Sequence, residues 1–132
     1  MSLIRWDDNY KTGIEVVDEQ HRNLIEMIND LHKAMREARG REVMGDILDR
    51  LLKYTVYHFG TEEKLMKEYS YPKYLSHFTK HQKLTDEVKN FQARFNAGER
   101  MITIKFMEFL SSWLNDHILQ TDKKFGAFVT SK

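Results

Sequence analysis

The chain has no cysteine. That excludes disulfide staples, thiolate zinc sites and cysteine nucleophiles. A single proline, Pro72, leaves few places where a helix must break. No apolar run approaches the ~20 residues that a membrane-spanning helix needs. Formal net charge is only +1, so there is no general pull toward nucleic acid or anionic lipid. The opening stretch MSLIRWDDNYKTGIEVVDEQ is broken by charges throughout and contains no secretory apolar region. No phosphate-binding loop, dinucleotide fingerprint or nucleophile triad is recognisable. The expectation from these absences is a cytoplasmic protein that engages neither membrane nor nucleic acid.

What the chain does have is helical patterning. Its 132 residues are 41% hydrophobic and 31% charged, which suits one domain over 1–132 with a real core. Apolar residues recur at spacings of three and four, the helical signal. One stripe is His21, Leu24, Ile28, Leu31, Met35; a second is Ile47, Leu51, Thr55, His58, Glu62, Leu65. A third is His77, His81, Leu84, Val88, Phe91, Phe95, and a fourth is Ile102, Phe106, Leu110, Trp113, His117. These predict helices over about 18–39, 42–67, 71–95 and 101–120. Asp18 and Ser70 are the expected N-caps, and Gly40 and Asn96-Ala97-Gly98 the expected ends. Short connections make neighbours antiparallel, so the fold class is all-α, an up-down-up-down four-helix bundle. Residues 1–17 read as an extended arm with Trp6 packed on the bundle. KKFGAFV near the end reads as a short helix or turn.

Five of the six histidines fall on the apolar seams: His21, His58, His77, His81 and His117. Glu62 shares its seam with His58 at i, i+4, and His77 and His81 have the same spacing, so each pair shares one helix face. A lone histidine on an apolar stripe is ordinarily a core residue bonded to a carbonyl or a tyrosine. Five at once, on four facing helices, are different. Each buried polar group without a partner costs on the order of 1–3 kcal/mol, and a metal ion would satisfy all of them together. His32 lies beside its seam and reads as a boundary residue. Asp122 is i+5 from His117, which in a regular helix is about 140° off that face. Either Asp122 is not a ligand, or the helix widens there into a π-type turn. Spacing alone leaves this open.

This pattern resembles the hemerythrin family, and within it the single-domain bacteriohemerythrins. The resemblance covers nearly the whole chain: Trp6, Gly13-Ile14, VVDEQH ending at His21, HFGTEE at 58–63, YPKYLSHFTKH at 71–81 and WLNDHILQTDKKFGAF at 113–128. It implies a non-haem di-iron centre. One iron would take His77, His81 and His117, the other His21 and His58. Glu62, Asp122 and a hydroxide or oxo group would bridge them. It also implies that Asp122 is a ligand and that the turn before it is distorted. With such a set, all but one of the positions of two six-coordinate ions are filled, and the open one falls on the two-histidine iron. In the family that position takes dioxygen.

The expected function is therefore reversible dioxygen binding for storage, transport or delivery, by a monomer, with an oxygen-consuming enzyme as a candidate recipient. The expectation is a binding protein rather than an enzyme, since no Glu-x-x-His pair of the oxygen-activating bundle enzymes is present. The alternatives are a di-iron oxidase or peroxide- or nitric-oxide-handling enzyme, and an oxygen or redox sensor. Leu24, Trp113 and Leu119 stand close in sequence to His21 and His117. They are candidate walls of an oxygen pocket that would exclude water, as well as ordinary core.

Overall fold

The computed structural model describes residues 4–37, 41–99 and 102–131. Five α-helices and no strand occur among them: α1 (Glu15–Arg36), α2 (Arg41–Glu68), α3 (Tyr74–Asn96), α4 (Ile102–Asp116) and α5 (Lys123–Thr130). A π-helical turn, His117–Asp122, carries α4 into α5 without a break. α1 packs on α2 and α4, and α3 packs on α2 and α4, which closes a ring of four long helices. Consecutive helices joined by short connections give the expected up-down-up-down bundle.

The seams are buried as their spacing requires. Ile28 and Leu31 from α1, Leu51 from α2, Leu84 and Val88 from α3, and Phe106 and Leu110 from α4 meet in one cluster. Burying each such side chain stabilises by about 1.5–3 kcal/mol. That outweighs the roughly 1 kcal/mol that Gly45 or Gly60 costs α2. A second, smaller cluster forms around Met66, Tyr71 and Phe125. On α2 and α3, the histidine and carboxylate positions lie between the stretches that feed these two clusters. The polar layer is thus sealed by apolar packing on both sides.

Two expected caps are corrected. Asp18 does not start α1, which begins three residues earlier, at Glu15. From inside the first turn its carboxylate reaches back. Oδ1 accepts from the Thr12 backbone N–H and hydroxyl, both at 2.8 Å, and Oδ2 accepts from the Gly13 N–H. Ser70 does not start α3, which has Lys73 as its N-cap. Ser70 instead closes α2 in the left-handed region, at φ 53°. The Tyr71 N–H bonds to Met66 O and the Ser70 N–H to Lys67 O, a Schellman closure, with Tyr71 and Met66 in the same apolar cluster. Gly98, at φ 87°, ends α3 in the same way, as the Asn96-Ala97-Gly98 signal predicts. Gly40 and Met101, proposed as boundaries, lie outside the described residues.

The arm packs along the bundle. Ile4 exchanges two hydrogen bonds with the Asn29 side chain, and the Arg22 guanidinium lies 4.5 Å from the Trp6 ring centre. One 3-10 turn, Asp8–Tyr10, interrupts its extended course, and the Tyr10 hydroxyl donates to Asn115 Oδ1. The arm then crosses α5 so closely that a Cβ on Gly126 would lie 2.0 Å from Thr12 O. No helix among the described residues is long and apolar enough to cross a membrane.

Candidate metal centre

Every long helix delivers its polar residues to one layer. α1 supplies His21. One turn of α2 supplies His58 and Glu62, and one turn of α3 supplies His77 and His81. His117 and Asp122 are the first and last residues of the π turn. Widening the helix there brings i and i+5 onto one face, which a regular α-helix cannot do. All seven side chains are buried. They form two overlapping groups of potential ligand atoms. One is Glu62, His77, His81, His117 and Asp122; the other is His21, His58, Glu62 and Asp122. The two carboxylates belong to both groups. His32 belongs to neither and stands half-buried beside α1's core residues.

The potential ligand atoms crowd together at the middle of the layer. Asp122 Oδ1 is 2.9 Å from His77 Nε2 and 3.1 Å from His117 Nε2, while Oδ2 is 3.0 Å from His21 Nε2. Glu62 Oε1 lies 3.4 Å from His58 Nε2 and 3.2 Å from His81 Nε2. His117 Nε2 is 3.2 Å from His77 Nε2 and 3.3 Å from His81 Nε2. Despite these short distances, His21 Nε2 and both oxygens of Glu62 and of Asp122 make no aligned hydrogen bond. Crowded, buried and unaligned donor atoms form a poor hydrogen-bond network. They are what a set of ligands around a cation looks like.

Charge is divided unevenly between the carboxylates of the metal-free chain. Burial, reinforced by the Asp122 charge, pushes the Glu62 carboxyl well above its usual range. Asp122 is driven the other way: burial opposes its ionisation, but His117, His21 and His77 together outweigh it. Burial also holds His58 and His117 below the ordinary imidazole value. Both rings are therefore neutral near pH 7 and have lone pairs to offer.

Two functional residues escaped the reading of the sequence. Gln20 Oε1 lies 2.7 Å from His58 Nδ1, and Gln20 Nε2 donates to Thr61 Oγ1, which fixes the amide's orientation. Glu63 Oε2 lies 2.9 Å from His81 Nδ1. In each case Nδ1 carries the proton and Nε2 is left free to bind a metal. The signal was available, because a metal-binding histidine needs an acceptor for its other N–H. Both acceptors are chain neighbours of proposed ligands, in VVDEQH and HFGTEE.

An apolar cavity adjoins the layer. Leu24, Ile28, Leu51, Thr55, Phe59, Leu84, Leu110, Trp113 and Leu114 line it. It is small, about 10 Å³, with room for one small guest and not for a drug-sized ligand. Its one hydroxyl, that of Thr55, is donated to Leu51 O. Leu24 and Thr55 are each one helical turn from the two-histidine group, at His21 and His58. Leu24 and Trp113 both line this cavity, and the Trp113 ring stacks on His117 at 4.2 Å. Leu119 does not. It is 37% exposed and absent from the lining, while Ile118 turns inward and is fully buried. Within the π turn, the residue next to His117 takes the inner position.

Residues 12–129 match the family model "Hemerythrin HHE cation binding domain". The chain belongs to the hemerythrin family. The match includes all seven residues of the polar layer. Among hemerythrin relatives, the chain is 38% identical over 126 residues to a bacteriohemerythrin of Stenotrophomonas maltophilia, covering 96% of this chain and 81% of that one. It is 32% identical to a bacteriohemerythrin of Methylococcus capsulatus, covering 99% of this chain and 100% of that one. A solved wild-type hemerythrin superposes with a TM-score of 0.88 at 33% identity, covering 96% and 97% of the two chains. The resemblance seen in the motifs, and the four-helix bundle it implied, both hold.

Proposed function

We propose that this hemerythrin-family chain binds dioxygen reversibly at a non-haem di-iron centre, as a cytoplasmic store or carrier. One observation carries the reading. Two groups of buried ligand atoms share Glu62 and Asp122, and a small apolar cavity adjoins the layer they form. His77, His81 and His117 would hold one iron and His21 and His58 the other, with the two carboxylates spanning both. When bound, the pair of irons supplies the electrons and the open position that dioxygen requires.

The chain's own residues do the rest. Gln20 and Glu63 hold the His58 and His81 rings with Nε2 facing inward. Leu24, Phe59 and Trp113 keep water from the cavity, so that a guest meets few proton donors. Five imidazoles against two spanning carboxylates leave the site less negative than a carboxylate-rich one, which favours carrying over oxidising chemistry.

Metal content and a visible spectrum through one cycle test this. The protein is reduced without oxygen, exposed to oxygen, then deoxygenated. Two irons per chain and a colour that forms and then fades establish the carrier. A colour that decays to a stable oxidised form replaces it with the oxidase or sensor reading. A folded protein that takes up no iron removes it altogether.

A further inference from the structure

Gln20 and Glu63 each face the Nδ1 of one histidine, but they are not equivalent partners. An ionised carboxylate accepts through either oxygen. An amide accepts at Oε1 and donates at Nε2, so Gln20 turned end for end would offer His58 a donor in place of an acceptor. A neutral imidazole has one proton, and the partner of one nitrogen decides which nitrogen keeps its lone pair. With Gln20 reversed, Nδ1 would accept and the proton would sit on Nε2. The nitrogen beside Glu62 would then have no lone pair for a metal. Something has to hold the Gln20 amide one way round.

Gln20 reaches from α1 to two residues of α2 that are three positions apart and share a face. Its Oε1 is 2.7 Å from His58 Nδ1, and its Nε2 is 3.2 Å from Thr61 Oγ1. A free hydroxyl would not select an orientation, because it can donate or accept. The Thr61 hydroxyl is not free. Its proton goes to the backbone carbonyl of Tyr57, one turn back on α2, at 3.2 Å. A carbonyl can only accept, so Thr61 donates to Tyr57 and is left to accept from Gln20. The direction of every bond in the series then follows from a backbone atom. A reversed amide would set Oε1 against Thr61 Oγ1, two acceptors in contact unless Thr61 released Tyr57. Gln20 is 5% exposed and His58 1%, so little water is at hand to satisfy the reversed arrangement.

We propose that Thr61 is a positioning residue for the metal centre. Its hydroxyl, directed by the Tyr57 carbonyl, orients Gln20 and thereby sets the tautomer of His58. Thr61 acts through these two side chains and not on the ions. The inference rests on the metal-centre reading only for the use to which His58 Nε2 is put.

Two variants test it. Thr61→Val keeps the shape and removes the hydroxyl, and Thr61→Ser keeps the hydroxyl. The ¹⁵N spectrum of His58 in metal-free protein is the first readout. The parent and Thr61→Ser should show a protonated Nδ1 and an unprotonated Nε2. In Thr61→Val both nitrogens should move toward values averaged over two tautomers. The second readout is ferrous-iron affinity, by competition with a chelator in the absence of oxygen. It should fall about tenfold in Thr61→Val, at the low end for outer partners of a metal ligand, and return in Thr61→Ser. A loss of packing alone would lower stability and leave the tautomer as it was. Unmoved His58 resonances in Thr61→Val overturn the proposal. A shifted tautomer with parental iron affinity overturns the role at the metal centre. If the parent itself takes up no iron, the metal-centre reading fails, and the ¹⁵N spectra still decide whether Thr61 sets the tautomer.

Discussion

His117 Nε2 lies 3.1 Å from Asp122 Oδ1, although five positions separate the two residues in the chain. The π turn between them makes this possible, and it also determines which neighbours turn inward. Asp122 contacts both histidine groups, with Oδ1 near His77 and His117 and Oδ2 near His21. Replacing it, as Asp122→Ala, should therefore cost the protein its second ion and loosen the first. Metal analysis after gel filtration measures this, with far-ultraviolet circular dichroism showing that the helices persist. Full iron content in the variant would deny Asp122 a spanning role.

The seam positions show why much of the site was legible in the sequence. His58 and Glu62, and His77 and His81, repeat at helical spacing, so their shared faces follow from the residue numbers alone. The His117–Asp122 pair could not be read that way. Its spacing fits no regular helix, and only the family resemblance argued for a widened turn. The caps were misread for a related reason. Asp18 and Ser70 are good N-cap residues by type, but one serves the preceding loop from inside its helix and the other closes the helix before it. Both choices are set by contacts with Thr12 and Met66 that local propensity does not contain. Gln20 and Glu63 were hidden behind the stronger signal of the ligands beside them.

Metal uptake should release protons. Burial and the Asp122 charge raise the Glu62 carboxyl well above its usual range in the metal-free chain, and a ligand must give up any proton it holds. The sign follows. Below the raised Glu62 value affinity should climb with pH, and above it this contribution should level off. His58 and His117, already neutral near pH 7, should contribute nothing further there. Calorimetric loading in buffers of different ionisation enthalpy counts the protons. A count of zero near neutrality would mean that Glu62 is already ionised.

Gln20 and Glu63 differ in charge but have the same task. Glu63→Gln keeps an acceptor while removing the charge opposite His81, and Gln20→Leu removes the acceptor for His58 altogether. Outer partners of this kind are typically worth about 10–100-fold in metal affinity. The loss should be larger for Gln20→Leu than for Glu63→Gln, because one ring then has no partner. Competition against a chelator of known affinity gives both values. Unchanged affinity in Gln20→Leu would show that the His58 ring is held by packing alone.

Two glycines make opposite predictions from the same substitution. Gly126→Ala would put a methyl group 2.0 Å from Thr12 O, a backbone atom that cannot rotate away. Overpacking of this kind costs about 1–3 kcal/mol, and the arm should lift from α5. Gly60, inside α2, has nothing within 4 Å of the same position. Gly60→Ala should stabilise by about 0.5–1 kcal/mol through helix propensity. Denaturant midpoints with unchanged slopes would measure both. A neutral Gly126→Ala would mean that the arm is not seated as described.

Leu24 and Leu119 separate the two sides of the α4 to α5 junction. Leu24 is buried against the apolar cavity one turn from His21, whereas Leu119 faces solvent. Leu24→Ala should cost about 2–5 kcal/mol, because it enlarges a void that its neighbours fill only partly. Leu119→Ala should stay within about 0.5 kcal/mol. The functional consequence runs parallel. A larger cavity beside the histidine layer admits water, so the oxygenated colour should fade sooner in Leu24→Ala and at the parent rate in Leu119→Ala. Following both decays in one buffer at one temperature separates a wall from a surface residue. If Leu119→Ala alone speeds the fading, oxygen and water reach the centre past the π turn and not through the apolar cavity.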